Sequence, residues 1–246
     1  MGQHLLVDTS VAKRVVEFAS LTRDDVVLEI GPGNGVLTGL LAERAGKVIA
    51  IEKDRKFISA LSGMAGNVEV IVADAIKYPF PAFTKVVSNL PYVISSPITF
   101  KLLECDFSLG ILMYQKEFAD RMQALVNSAD YSRLSVEVFR RAECKVLMGV
   151  SPAAFAPQPR VRSAIIELRP RPCPFDIKDG ALFSAITRAL FSHRRKSVRN
   201  ALLSEEKALD VYGIAVDNAG ELLKRKAETL SPEEIERLAE LLHPGI

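Results

Sequence analysis

The densest pattern of chemistry-bearing residues is Asn89-Leu90-Pro91-Tyr92, which follows the apolar run of residues 86–88. A buried strand would end here, and in an open α/β sheet ligands bind just outside the carboxyl ends of the strands. The Asn89 side-chain oxygen and the Leu90 carbonyl can accept both hydrogens of an amine, and Pro91 stiffens the turn that aims them. The Tyr92 ring can stack on a flat base, which stabilises by about 1–3 kcal/mol. The tetrad therefore predicts a site for an amine on a flat base. In isolation, an ordinary asparagine–proline turn would explain it as well.

A glycine-rich turn lies between a predicted strand at residues 26–30 and a predicted helix at 36–44. It contains Gly31, Gly33 and Gly35, and it is preceded by the acidic residue Glu29. Such glycines let the backbone approach a ligand closely at the mouth of a sheet. A dinucleotide site would have its third glycine at position 36, where this chain has Val36. The spacing resembles the loop of class I S-adenosylmethionine methyltransferases, and a plain strand-to-helix turn is the alternative.

Two further predicted strands end on acidic residues. Glu52 ends the strand of residues 48–52, and Asp74 follows the strand of residues 68–72. A carboxylate after the second strand can accept hydrogen bonds from both hydroxyls of an adenosine ribose, and the next acid can accept from the adenine amine. An NAD enzyme would share the glycine turn and the first acid, but it would not predict the tetrad.

Strands alternate with helices through the first half of the chain, which predicts an α/β, Rossmann-like fold with a doubly wound sheet. The mixed, mainly parallel sheet would have seven strands. Two of them, at residues 145–150 and 163–169, are expected to be antiparallel partners. Residues 131–141 fit a helix or a strand. The prolines at 170, 172 and 174 predict a boundary between a catalytic domain at 1–174 and an all-helical C-terminal domain at 175–246.

The composition excludes several classes of protein. The 246 residues, 48% of them hydrophobic, are enough for a large core. No stretch is apolar enough to predict a membrane span, and the first residues do not form a secretory signal. The three cysteines lack the spacing of a metal site or a disulfide framework, so we expect no metal and a cytoplasmic protein. The net charge is only +2, so a polyanionic partner must be bound by a local basic patch.

Two basic runs are candidates for RNA contacts, because phosphate contacts dominate the affinity for nucleic acid. The candidate residues are Arg160, Arg162, Arg194, Arg195, Lys196 and Arg199. A solvated helix face remains the alternative for each of them.

Several motifs together resemble the KsgA family of small-subunit rRNA adenine dimethyltransferases. The tetrad looks like the amine-methylating motif of adenine N6-methyltransferases, and Gln3-His4-Leu5-Leu6 resembles the opening motif of the family. Further matches are Gln-Lys-Glu at 115–117, Tyr-Ser-Arg-Leu-Ser-Val at 131–136, the proline-rich run at 155–164 and the basic run at 194–200. Departures are Leu5 in place of a phenylalanine, Ser197 in place of a threonine, and a start close to the opening motif, where relatives often carry a basic arm.

The resemblance implies S-adenosylmethionine as the cofactor and roles for individual residues. His4 and Leu6 would contact the methionine end and the edge of the cofactor, and Gly31 in the glycine turn would lie against it. Glu52 would hold the ribose, Asp74 the adenine, and Asn89 would bridge cofactor and target amine. Tyr92 and Phe155 would sandwich a flipped target adenine.

The implied reaction is the transfer of two methyl groups to each of two adjacent adenosines near the 3′ end of small-subunit rRNA. The substrate would be a ribosome assembly intermediate and the protein a monomer. Two alternatives stay open. One is a large-subunit rRNA or DNA adenine methyltransferase, although the DNA enzymes usually have Asp-Pro-Pro-Tyr at the tetrad. The other is a non-catalytic assembly factor on the same scaffold.

Overall fold

The computed structural model describes residues 4–243, which divide into two compact units. The first unit is Met1–Ala119 with Glu143–Pro170, and the second is Asp120–Ala142 with Arg171–Ile246. The chain therefore passes through the second unit at Asp120–Ala142, returns to the first unit, and continues in the second from Arg171 onward. This division differs from the predicted 1–174 and 175–246 chiefly in the segment 120–142, which no composition shift marks. Gly2 and Gln3 of the opening motif lie outside the described residues.

The first unit is built on a seven-stranded mixed sheet with the order β4-β3-β2-β5-β6-β9-β7. Its strands are β2 (Val26–Ile30), β3 (Lys47–Glu52), β4 (Val68–Val72), β5 (Lys85–Asn89), β6 (Leu109–Gln115), β7 (Ala142–Val150) and β9 (Ser163–Pro170). The first five are parallel to one another, and β9 pairs antiparallel with β6. The predicted fold class is confirmed.

Two short strands form a separate antiparallel pair that the sequence did not predict. They are β1 (Leu5–Leu6) and β8 (Phe155–Ala156). Each has only two residues, so neither shows the alternation from which a strand can be recognised in a sequence.

Helices connect the strands and pack on the sheet. They are α1 (Thr9–Ala19), α2 (Val36–Ala42), α3 (Ile58–Leu61), α4 (Ser95–Leu102) and α5 (Lys116–Met122). The Asp8 carboxylate caps α1 by accepting from the Ser10 and Val11 amides, as its position predicts. The helix ends at Ala19, because Ser20 has a left-handed φ of 45°. One apolar core, with residues such as Leu41, Val48 and Ile111, lies between α1, α2 and the sheet.

The second unit contains α6 (Arg133–Arg141), α7 (Gly180–Ser192), α8 (Val198–Ser204), α9 (Glu206–Leu209) and α10 (Pro232–Leu242). Residues 131–141, left open between helix and strand, begin a helix at Arg133 through a capping box of Ser132 and Ser135. The sequence Ser231-Pro232-Glu233-Glu234 predicts a helix start, and α10 begins there with a second capping box, formed by Ser231 and Glu234. The second unit has an apolar core of its own, with buried side chains such as Phe183 and Ile186. Within residues 4–243, no helix has the length and apolar character to cross a membrane.

Candidate active site

The strand order places the predicted site at a single point of the sheet. From β2, the sheet runs through β3 to β4 in one direction and through β5 to β6 in the other. Ligands bind in α/β proteins at such a reversal, outside the carboxyl ends of the strands. The glycine turn follows β2, and the tetrad begins at Asn89, the last residue of β5. The two motifs are therefore neighbours although they are more than fifty residues apart in the chain.

A cavity of about 590 Å³ opens at this point. That volume is in the usual range for small-molecule and cofactor sites, about 300–1,000 Å³. The predicted residues that line it are His4, Leu6, Gly31, Gly33, Glu52, Asn89, Leu90, Pro91, Tyr92 and Arg160. Gly35, Asp74, Phe155 and Arg162 are not among its lining residues.

The glycine turn is packed against the tetrad. Gly31 has a φ of +70°, and a Cβ atom added there would lie 3.0 Å from the Pro91 ring. Gly33 has a φ of +57°, and its amide donates to Glu52 Oε2 at 3.0 Å. Gly35, with a φ of +81°, precedes the first residue of α2 and so shapes the turn rather than the cavity wall. Glycine is needed at all three positions because side chains rarely adopt this backbone conformation.

Glu52 is held rigidly at the carboxyl end of β3. The residue is 2% exposed, and its second oxygen, Oε1, accepts from the Asp54 amide at 2.8 Å. Each carboxylate oxygen has a further lone pair. The carboxylate can therefore accept from two ligand hydroxyls, as the assignment to a ribose requires.

Glu29 is an acid that the sequence placed before the turn without assigning it a role. It is 2% exposed, it lines the cavity, and its Oε2 has no hydrogen-bond partner among the described residues. Burial, together with the nearby negative charge of Glu52, raises the pKa of Glu29 from 4.5 to about 8. A protonated Glu29 is uncharged, so it offers this end of the cavity an uncharged oxygen acceptor beside the negative charge of Glu52, and the pair suits a cationic ligand such as a sulfonium with an ammonium group.

Asp74 lies after β4, beyond the cavity wall. Its Oδ2 accepts from Lys53 Nζ at 2.9 Å, and its Oδ1 accepts from the Ile76 amide at 3.0 Å. The hydrogen bond from Lys53 lowers the pKa of Asp74, with the Ile76 amide contributing in the same direction. A ligand amine would approach a carboxylate that is ionised and already paired at the surface.

The tetrad turns the chain sharply after β5. The Leu90 side chain is 1% exposed, and its backbone lies at the cavity. Pro91 leads into a single turn of 3₁₀ helix at Tyr92–Ile94. The Tyr92 hydroxyl shares a hydrogen bond of 2.6 Å with Ser163 Oγ, and its ring centroid is 5.8 Å from that of His4.

The amino-terminal strand closes one side of the cavity. Leu6 pairs with Phe155 in the short β1–β8 sheet, and His4 Nδ1 lies 2.7 Å from the Pro157 carbonyl oxygen. Because that oxygen can only accept, His4 Nδ1 carries the proton of this hydrogen bond. His4 and Leu6 thus lie at the cavity as the resemblance implied.

Phe155 is not among the residues that line the cavity. The pairing of β8 with β1 directs Ala156 to solvent and Phe155 to the interior, where the ring is 2% exposed within the core. Its contact with a target base stays a prediction.

The predicted RNA-binding residues differ in the exposure of their side chains. Arg160, Arg162, Arg195, Lys196 and Arg199 are exposed. Arg194 is instead paired with Glu228 at 2.9 Å, and it donates to the Ala129 carbonyl at 2.8 Å. Its guanidinium is therefore used within the second unit, which removes the main reason to assign it to phosphate binding.

Several lining residues were given no role from the sequence, among them Val93, Gln115, Gln158 and Val161. Gln115 is the last residue of β6, next to β5 in the sheet, and this position could have identified it. Val93 and Val161 are 74% and 46% exposed. They give the mouth of the cavity an apolar surface.

Known proteins resemble this chain in both sequence and structure. A family model described as "Ribosomal RNA adenine dimethylase" matches residues 1–240. A "Probable ribosomal RNA small subunit methyltransferase A" of Methanosarcina acetivorans is 46% identical, over 98% of this chain and 91% of that protein. A dimethyladenosine transferase from Plasmodium falciparum has a TM-score of 0.80 with 29% identity, covering 96% of each chain. The 23S rRNA methyltransferase ErmE has a TM-score of 0.66 with 30% identity, covering 97% of this chain and 99% of its own. The chain therefore belongs to the ribosomal RNA adenine dimethylase family.

Proposed function

We propose that this protein transfers methyl groups to the N6 amines of two adjacent adenosines near the 3′ end of small-subunit rRNA, two to each. As a member of its family, the chain is a methyltransferase that uses S-adenosylmethionine. The observation that carries the proposal is the shared cavity, in which the tetrad lies beside the glycine turn and Glu52. A donor and an acceptor amine bound to these two groups of residues would be in contact.

The residues at the β2 and β3 ends fit the cofactor. Gly31 and Gly33 leave space that a side chain would fill, Glu52 offers lone pairs for ribose hydroxyls, and the unpartnered oxygen of Glu29 can accept from a cationic ammonium. When bound, S-adenosylmethionine supplies an electrophilic methyl group on a sulfonium, which needs no further activation. The protein then has to align the two reactants and stabilise the charge that develops.

The tetrad would make the target amine more reactive. An adenine amine is a poor nucleophile because its lone pair is delocalised into the ring. Acceptance of its hydrogens by the Asn89 amide oxygen and the Leu90 carbonyl favours the pyramidal form, in which the lone pair is available. Held by Asn89 and the Leu90 carbonyl, this nitrogen would accept the methyl group, the donor would leave as a neutral thioether, and the methylated amine would lose one proton to solvent.

Tyr92 would hold the base in that position. Its ring lines the cavity, and the apolar side chains of Val93 and Val161 lie at the mouth, where a flat base can pack. The target adenosine must leave its stack to enter, which costs least in a loop or single strand. The exposed Arg160 and Arg162 would contact the phosphates around it, and basic residues of the second unit would contribute separately to rRNA binding.

The substrate can be tested by incubating the protein with labelled S-adenosylmethionine and small subunits, large subunits or duplex DNA in separate reactions. We expect label in small subunits alone, recovered as N6,N6-dimethyladenosine. The likeness to ErmE makes large-subunit rRNA the main alternative. Label confined to large subunits or DNA would contradict the proposal, and cofactor binding without any transfer would favour an assembly factor.

We also propose that the protein acts as a cytoplasmic monomer on an assembling small subunit.

A further inference from the structure

Ser163 is a buried hydroxyl that none of the roles above uses. It is the first residue of β9, and it is fully shielded from solvent. In the antiparallel pairing of β9 with β6, it lies opposite Gln115, which lines the cavity. The Ser163 side chain is thus next to the active site without being part of its wall.

Its hydroxyl contacts the ring that would hold the target base. Ser163 Oγ and the Tyr92 hydroxyl share a hydrogen bond of 2.6 Å. Tyr92 belongs to a short 3₁₀ turn after β5, whereas Ser163 is the first residue of β9, which is paired with β6 in the main sheet. A turn of three residues has little rigidity of its own, so a bond to a strand in the sheet fixes the ring more firmly than the turn can.

His4 limits the ring from another direction. The His4 and Tyr92 ring planes are inclined by 33°, with centroids 5.8 Å apart, and His4 itself is held by the Pro157 carbonyl. The His4 contact is on the ring, and the Ser163 contact is at the hydroxyl. The two contacts thus hold the Tyr92 ring at two points while it lines the cavity.

We propose that Ser163 is a positioning residue, which holds the Tyr92 ring in the orientation that receives the target adenine. The catalytic consequence rests on the proposed function, whereas the positioning of the ring does not. Pre-organisation of this kind matters because a small misplacement of a base costs much of the rate. Ser163→Ala should therefore slow methyl transfer without weakening the cofactor site.

The first test reads the ring directly, without any reaction. The chain has five tyrosines, so protein labelled with 3-fluorotyrosine gives five ¹⁹F resonances, and the one lost in Tyr92→Phe belongs to Tyr92. We expect Ser163→Ala to shift or broaden that resonance while the others stay in place. A Tyr92 resonance unchanged in Ser163→Ala would overturn the proposal, whether or not the protein methylates rRNA.

The second test compares single-turnover rates on small subunits for Ser163→Ala, Tyr92→Phe and the double variant. We expect each single variant to lose about tenfold in rate, as for one lost hydrogen bond, and the double variant to lose no more. Losses that multiply in the double variant would show that Ser163 acts without Tyr92. An unaltered rate in Ser163→Ala would contradict its catalytic consequence.

Thr99→Val is the matched control. Thr99 shares a 2.7 Å hydrogen bond with the hydroxyl of Tyr114, which is also buried but lies away from the cavity. Loss of this hydroxyl pair should lower the melting temperature and leave both the transfer rate and the Tyr92 resonance as they are. A decrease in rate equal to that of Ser163→Ala would show that any buried tyrosine partner matters alike, and would refute a specific role for Ser163.

Discussion

Asn89 has the role in the proposed reaction that depends most on one atom, because its amide oxygen has to accept a hydrogen bond from the reacting amine. Replacement by alanine keeps β5 and the glycine turn but removes that acceptor. We expect Asn89→Ala to lower the transfer rate about 100-fold or more, as for other preorganised polar groups at a reacting centre. Affinity for S-adenosylmethionine, measured by isothermal titration, should change little.

Glu52→Ala should have the opposite effect to Asn89→Ala, because it affects cofactor binding first. The carboxylate lies at the other end of the cavity and would contact the ribose, so its loss should weaken cofactor binding by about tenfold or more. Full activity of Asn89→Ala, or unaltered cofactor affinity of Glu52→Ala, would refute the role of the residue concerned.

Glu29 predicts a particular dependence of stability on pH. Its folded-state pKa of about 8 lies above the ordinary value of 4.5. Between these values the folded protein keeps a proton that the unfolded chain loses. The free energy of unfolding therefore falls, by about 1.4 kcal/mol per pH unit from this group, as the pH rises through that window. Stability from this source is greatest below pH 4.5 and lost by about pH 8.

Glu29→Gln cannot ionise and should remove that loss. In urea unfolding without cofactor, we expect the variant and the parent protein to be similar near pH 5. Near pH 9 the variant should be more stable by several kcal/mol, on the order of 4. Glu43→Gln, at an exposed position, serves as the control and should give no such divergence. Parallel curves for Glu29→Gln and the parent would show that Glu29 is ionised in the folded protein.

At the scale of the elements, the glycine turn after β2 and the tetrad after β5 form one contact. Gly31→Ala would place a Cβ atom 3.0 Å from Pro91 at a φ of +70°. We expect it to cost about 1–3 kcal/mol of stability and to weaken cofactor binding, measured by thermal unfolding and titration. Gly39→Ala is the control, because Gly39 lies inside α2 with no atom within 4 Å of the added Cβ. That change should stabilise the protein by about 0.5–1 kcal/mol. An equal effect of the two variants would contradict the packing role of Gly31.

The sequence predicted those strands and helices whose residues show a regular apolar pattern or a helix-capping motif. The seven strands of the main sheet and the capping box of α10 were all recognisable, because alternation and capping are local properties. The order of the strands brings Gly31 and Asn89 together, and the motifs themselves pointed to that arrangement. The local signal fails where pairing alone defines an element, as in β1 and β8. The type of residue 155 therefore did not reveal which face of β8 its ring would take, and its contact with a target base stays a prediction.

At the scale of the whole molecule, a net charge of +2 leaves little general attraction for RNA. Binding has to come from local arginines and lysines that are free to meet phosphates. The second unit shows why residue type alone does not identify them. Arg194 and Arg195 are adjacent and identical in type, yet Arg194 is held by Glu228 and the Ala129 carbonyl while Arg195 is exposed.

These two arginines should therefore behave in opposite ways. Arg194→Ala leaves Glu228 without its partner and releases the segment near Ala129, so we expect a loss of about 1–3 kcal/mol in unfolding experiments. Its effect on the salt dependence of RNA binding should be small. Arg195→Ala should leave stability nearly unaltered and reduce the slope of log affinity against log salt by about 1, as for one lost phosphate contact. Filter binding to small-subunit rRNA between low and moderate salt measures that slope. If Arg194→Ala reduced the slope and kept full stability, phosphate binding would belong to Arg194, and its pairing with Glu228 would have to open on the RNA.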